Sequence, residues 1–290
     1  MNASLIRELR DISGAGMMDC KKALEENGND IKKATEWLRK KGIAKAAKKA
    51  GRIAAEGLST IVTNGNKAVV LEINCETDFV AKNEKFEKFV NDVANTILNS
   101  DAKTNEEALA LPCEDGTLND YVTNMTATIG EKISFRRFAN VTKEDDENFG
   151  AYIHMGGKIS VLTILKGASE AVAKDVSMHA AAMRPEFVKK DDVPADRLEN
   201  EKKILTEEVI REGKPANIAE KIVMGKLNKF YKEVCLEEQE FVKDNSVTVS
   251  KYISNNGGSL VDVIRFEGGE GLEKRQDNFA EEVAAQMKGE

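Results

Sequence analysis

The run Thr77-Asp78-Phe79-Val80-Ala81-Lys82-Asn83 sets a carboxylate beside a large aromatic ring, just after an apolar strand-like run ending at Asn74-Cys75-Glu76. Nothing beside it in sequence builds a metal cage, a phosphate cradle or a nucleophile with its base. A charged aromatic tip with no chemistry of its own suggests a residue pair that acts on another protein. A plainer reading stays open beside it. Phe79 lies seven residues before Phe86, so on one continuous helix it joins a core face with Val90, Val93 and Ile97. Thr77 would then be a simple N-cap, with Asp78 favouring the helix dipole.

Other chemical templates fail. A phosphate-binding loop needs Gly-x-x-x-x-Gly-Lys-Ser/Thr so that backbone amides wrap the phosphate oxygens. Gly157-Lys158, Gly213-Lys214 and Gly225-Lys226 lack both the earlier glycine and the following hydroxyl. No G-x-S-x-G elbow or H-E-x-x-H helix occurs. Cys20, Cys75, Cys113 and Cys235 are scattered, and the only histidines are His154 and His179. Zinc needs clustered ligands, so no metal site is expected, and free, partly buried thiols in a reducing cytosol fit the spacing. His154 sits on an alternating strand and His179 in an alanine-rich helix, both structural settings. Aromatic poverty leaves little to stack a sugar between paired acids. No catalytic residue and no cofactor are expected, and an enzyme is the weaker class.

The elements that must position the tip follow from composition and period. A chain of 290 residues buries a substantial core, and its length favours about two domains. Charged residues make up 32% and aromatics 6%, which points to long solvated helices. The net charge of -7 argues against stable nucleic-acid binding and against docking on an anionic membrane. No apolar run reaches the length of a membrane span and the N-terminus carries no signal-peptide pattern, so a cytoplasmic location is expected.

Residues 1–40 read as three helices. Ser4 caps the first, with Leu5, Leu9 and Ile12 on one face. Asp19 starts the second, and Asp30 starts a third carrying Ile31, Ala34, Trp37 and Leu38, with Trp37 as core anchor. Arg39–Arg52, rich in lysine, reads as a basic linker rather than an RNA contact. Leu58–Thr63 and Lys67–Asn74 form a hairpin about Asn64-Gly65-Asn66, and a helix with Phe86, Phe89, Val90, Val93 and Ile97 follows. The same order recurs: Phe149–Met155 and Lys158–Lys166 flank Gly156-Gly157, then comes a helix with Ala171, Val172, Val176 and Ala180. Glu131–Ala139 is an additional strand of the first repeat. The fold class expected is therefore α+β with a duplicated hairpin-plus-helix core. Residues 185–235 read as an inserted antiparallel helical hairpin broken at Gly213-Lys214-Pro215. Strands return at Val247–Ile253 and Leu260–Phe266, and a C-terminal helix runs from Leu272 to Met287.

At Thr77–Asn83 the chain resembles the bacterial translation elongation factor Ts family. Leu9-Arg10-Asp11-Ile12-Ser13-Gly14-Ala15-Gly16-Met17-Met18-Asp19-Cys20-Lys21-Lys22-Ala23-Leu24 is similar to that family's N-terminal signature. Trp37–Gly42, Ala54–Gly57 and His154–Ile159 also fit. Departures stand at Glu240, where the family usually has a proline before Phe241, at Glu237 and at Gly268.

The resemblance implies a guanine-nucleotide exchange factor for elongation factor Tu. It also implies a ubiquitin-associated-like domain with its linker over 1–52, core subdomains over 53–141 and over 142–184 with 236–266, a coiled-coil hairpin over 185–235, and a C-terminal module over 267–290. By the same resemblance Thr77, Asp78, Phe79 and Val80 would dislodge the partner's magnesium. Gly14, Ala15, Gly16, Met17, Met18, Ala81, Lys82, Asn83, His154, Met155 and Gly156 would bind the partner. The sequence is compatible with a homodimer or a 2:2 complex. Two other classes stand beside this one: an RNA- or ribosome-binding module using the lysine-rich linker, and a structural coiled-coil dimer using residues 185–235.

Overall fold

The computed structural model describes residues 3–273 except Gly14, Asp115 and Lys214. The expected helix at Leu272–Met287 therefore lies almost wholly outside the described residues. The chain divides into two compact units, one from Met1–Thr60, Leu71–Phe138 and the chain from Glu267 on, the other from Ile61–Val70 and Ala139–Phe266.

The first unit opens with α1 (Ala3–Ser13), α2 (Met17–Glu26) and α3 (Ile31–Lys49). Leu9, Cys20, Ala23, Leu24 and Ala34 are fully buried between them. Ser4 lies inside α1 rather than capping it, and Gly16 is the residue that precedes α2, so Asp19 becomes its first-turn acid. Asp30 does cap α3, accepting the Lys33 N–H. Trp37 is only half-buried against this core, with Lys41 Nζ 4.7 Å from its ring centre. Its indole covers the edge of a core already filled by Leu9 and Leu24 with the smaller Cys20, Ala23 and Ala34. Most of the segment read as a linker continues α3 to Lys49. It is held helical by packing on α7 (Leu118–Ile129), where a Cβ on Gly42 would come within 3.3 Å of Ala127 Cβ.

The hairpin β1 (Glu56–Asn64) and β2 (Lys67–Cys75) turns at Gly65, whose φ of 57° suits glycine. It leads into α4 (Asp78–Ala81) and α5 (Glu84–Leu98), which buries Phe86, Phe89, Val90, Val93 and Ile97 as its spacing demands. Then come α6 (Asn105–Leu109), the short pair β3 (Pro112–Cys113) and β4 (Gly116–Thr117), α7, and β5 (Ser134–Thr142). Strand order is β1-β2-β5.

In the second unit β6 (Glu147–His154) pairs antiparallel with β7 (Ile159–Lys166), from Glu147 opposite Lys166 to His154 opposite Ile159. On this hairpin lies α8 (Glu170–Met183). Next come α9 (Ala195–Arg211) and α10 (Ala216–Val234), which pack as a hairpin about Leu205, Leu227 and Phe230. Then follow β8 (Glu240–Phe241), β9 (Asp244–Thr248), α11 (Val249–Asn255) and β10 (Ser259–Glu267). The run Val247–Ile253 is thus mostly helix, not strand: the Thr248 hydroxyl accepts the Lys251 N–H and starts α11. Strand order is β10-β7-β6. In both sheets a hairpin is followed by helix and a third strand returns beside the hairpin's second strand, so the α+β duplication is one of topology.

Candidate functional site

At the end of β2 the chain leaves the sheet through Glu76 and enters α4 with Thr77 as N-cap, its Oγ1 accepting the Val80 N–H at 3.4 Å. The helix lasts one turn and closes at Lys82. Asn83 then starts α5 afresh, its side chain accepting the Lys85 N–H at 2.9 Å. Two caps six residues apart break the helical phase. Phe79 therefore does not join the core face of α5, and the plainer reading fails for this reason. Its ring is 83% exposed. Ala81, on the opposite side of the turn, is buried and anchors it.

Asp78 Oδ2 lies 2.7 Å from Lys82 Nζ, both exposed. The lysine's hydrogen bond holds the carboxyl below its usual 3.8 and raises the ammonium in turn. Asp78 is an anion at neutral pH. The nearest thiol, Cys75, donates to the Thr77 carbonyl at 3.2 Å, and burial with the nearby Glu131 pushes it up to about 12. It stays protonated and is no nucleophile.

Glu131, read from sequence only as the first residue of a strand, turns out to face the tip. Its Oε2 accepts the Glu76 and Thr77 amides at 3.1 and 3.0 Å, and its Oε1 accepts the Thr77 hydroxyl at 2.7 Å. Glu76 answers with its own carboxylate, which accepts the Lys132 N–H at 2.6 Å and the Arg52 guanidinium at 3.3 Å. No local pattern reveals the pairs of Glu131 and Lys132 with Glu76 and Thr77, whose members are more than fifty residues apart.

Within the same unit Ala15, Gly16 and Met17 share a groove of about 520 Å³ with Val80 and Asn83. The structure thus brings these five predicted residues together. Met17 and Met18 are exposed, as is Ile12. Gly14 is outside the described residues. Of the lysines in the basic segment, which also holds Lys40, Lys48 and Lys49, Lys41 and Lys45 both bind Asp19 at 2.8 Å.

His154, Met155 and Gly156 form the β6–β7 turn of the second unit. Met155 has φ 49°, rare for a residue with a side chain, and is 70% exposed. The Tyr152 hydroxyl and His154 Nδ1 are 2.9 Å apart. His179 is buried and structural: its Nδ1 accepts the Val242 N–H at 3.1 Å and its Nε2 meets Gln239 Oε1 at 2.9 Å. The four cysteines are free thiols. Among the described residues no cluster of metal-ligating side chains occurs, and no helix is long and apolar enough to cross a membrane.

The profile of the family described as Elongation factor TS matches residues 76–270, a span that takes in the tip, Glu131 and the Ala139–Phe266 part of the second unit. Elongation factor Ts of Limosilactobacillus fermentum is 53% identical over 287 residues, covering 99% of this chain and 98% of that one. A match of that depth and length leaves one conclusion: the chain belongs to the elongation factor Ts family of translation factors.

Proposed function

We propose that the chain is a guanine-nucleotide exchange factor that binds elongation factor Tu–GDP, displaces its Mg2+ and promotes GDP release during translation elongation. One observation carries this reading: an aromatic ring 83% exposed and an anionic carboxylate stand together on a one-turn helix tied at both ends. A single exposed apolar residue is ordinary, but here Phe79 stands on the helix whose Val80 shares a groove with the exposed Met17, and an apolar face of that kind is one a partner can cover.

Energetics sets the division of labour. A nucleotide held at nanomolar affinity carries about 12 kcal/mol, whereas burying one Phe ring yields about 1.5–3 kcal/mol. Exchange is reciprocal linkage, in which the factor weakens the nucleotide as much as the nucleotide weakens the factor. One ring cannot supply that coupling. Wide docking must come from elsewhere, and Met17, Met18, Lys82, Asn83, His154, Met155 and Gly156 offer exposed or turn positions for it. Thr77 to Val80 convert docking into distortion of the partner's phosphate site. Loss of the metal is an efficient lever because the ion is the largest local charge there. The chain itself makes and breaks no covalent bond in this scheme.

Stopped-flow release of a fluorescent GDP from elongation factor Tu tests the proposal. Phe79→Ala slows the release stimulated by this chain by about ten- to a hundredfold, the ring's burial energy converted to rate. A rate equal to that of the unaltered chain refutes it.

A further inference from the structure

The geometry points to Glu131 as a positioning residue for the Asp78–Phe79 tip, an inference that rests on the exchange reading above. A four-residue helix has no stability of its own, because helix nucleation is unfavourable until several turns exist. Its orientation must be imposed from outside. On the far side Ala81 is buried and Asn83 begins α5. On the near side the carboxylate of Glu131 reaches the entry to the helix, and three donors converge on it.

The third of these donors matters most. By donating to Glu131, the Thr77 hydroxyl commits its proton and turns a lone pair toward the Val80 N–H that it caps. A hydroxyl has one proton to give. Without Glu131 that proton competes for other acceptors and the cap loses its fixed direction. The two amides held by Oε2 fix the backbone at Glu76 and Thr77, one residue before Asp78. Glu131 itself is rigidly set: Gly130 ends α7 in the left-handed conformation with φ 88°, and the next amide, Lys132 N–H, is tied to Glu76. The clamp is reciprocal, with the end of β2 and the segment that follows α7 each holding the other's backbone. Glu131 never has to touch the partner to matter. It acts through the direction in which Phe79 points.

Glu131→Ala and the milder Glu131→Gln, which keeps one acceptor oxygen, test the inference beside Phe79→Ala. Displacing a working group by a fraction of its own size costs rate steeply, so Glu131→Ala lowers the maximal GDP release rate about tenfold, with Glu131→Gln between. The concentration giving half-maximal rate moves by less than about threefold, since Lys82 and Asn83 alone among the docking positions lie in the loosened segment and Met17, Met18, His154, Met155 and Gly156 are untouched. In the Phe79→Ala background Glu131→Ala slows release no further, to within about twofold. On the free chain, hydrogen exchange at the amides of residues 77–83 accelerates in Glu131→Ala while that of α8 does not. A merely structural role gives additive slowing and general loosening, and either of these, or unaltered exchange at 77–83, overturns the inference. A Phe79→Ala chain of full activity overturns the exchange reading instead, and hydrogen exchange then still decides whether Glu131 holds the tip.

Discussion

Replacing Glu72 by glutamine isolates the polar centre of the first unit. Glu72 lies on β2 and is fully buried, five residues before Thr77 on the strand that launches the tip. Its Oε1 accepts Arg136 Nη1 at 2.8 Å, the Gly269 N–H at 2.8 Å and Asn74 Nδ2 at 3.0 Å, and its Oε2 accepts Arg137 Nε at 2.6 Å. Glutamine offers one oxygen where the carboxylate offers two, and its amide group brings donors to a site already crowded with them. Leaving one side of a buried ion pair unmatched costs about 3–5 kcal/mol. Here the arginines keep other acceptors: Arg136 reaches the Glu270 carbonyl, and Arg137 has Glu270 Oε2 at 3.3 Å. Their side chains are also 21% and 32% exposed, so water meets part of their charge. The low end of the range, about 3 kcal/mol, is therefore expected. For a unit of this size each kcal/mol shifts Tm by about 2–4 °C, giving a fall of about 6–12 °C. Calorimetry of the whole chain measures it, and hydrogen exchange at Gly269 locates it. A fall below about 2 °C, or full protection retained at Gly269, refutes the assignment of Glu72 as the tie between β2, β5 and the chain after β10.

Two other perturbations read the second unit. Burial holds the His179 imidazole below its usual 6.5, so the unfolded chain binds more protons once pH falls under that value. Stability from His179 is complete above about pH 6.5 and is lost as pH falls, so the unit's melting temperature declines on acidification and the ring titrates with a midpoint under 6.5; a midpoint at or above 6.5 by NMR contradicts this. Gly150→Ala would place a Cβ 2.1 Å from the Ala173 carbonyl carbon, forcing α8 off β6. It destabilises the unit by about 3 kcal/mol in urea unfolding, and a loss under about 1 kcal/mol refutes the close approach.

Much of the fold was legible because burial here follows period. The apolar spacing of α5 and the turn at Asn64-Gly65-Asn66 each point to one structure, and both formed. Legibility failed where one polar side chain outweighs the pattern around it. Val247–Ile253 carries the β-branched residues of a strand, yet the Thr248 cap turns its second half into a helix. The Thr117 capping box with Asp120 marked the start of α7 by the same chemistry, a signal in the sequence that apolar spacing alone passed over. Phe79 is the sharpest case. Its seven-residue spacing from Phe86 fits a single helix, and only the second cap at Asn83, with Glu84 and Glu87 in the turn it opens, breaks the phase.

The clamp on the tip could not be read in any local window. Glu131 and Thr77 are 54 positions apart, and neither sits in a periodic pattern that names its partner. Their meeting depends on the end of α7 and the end of β2 arriving side by side, which is a property of the packed unit. That also explains how an exposed Phe ring keeps a direction. Apolar burial orients most side chains, but a ring in water has no such guide, and a one-turn helix gives it none. Orientation has to come from polar groups that the ring does not contact. Under the proposed exchange function, holding the tip beforehand lowers the ordering cost of docking, so more of the ring's modest burial energy is available for the partner. On that proposal the polar residues behind Phe79 matter to exchange as much as the ring does.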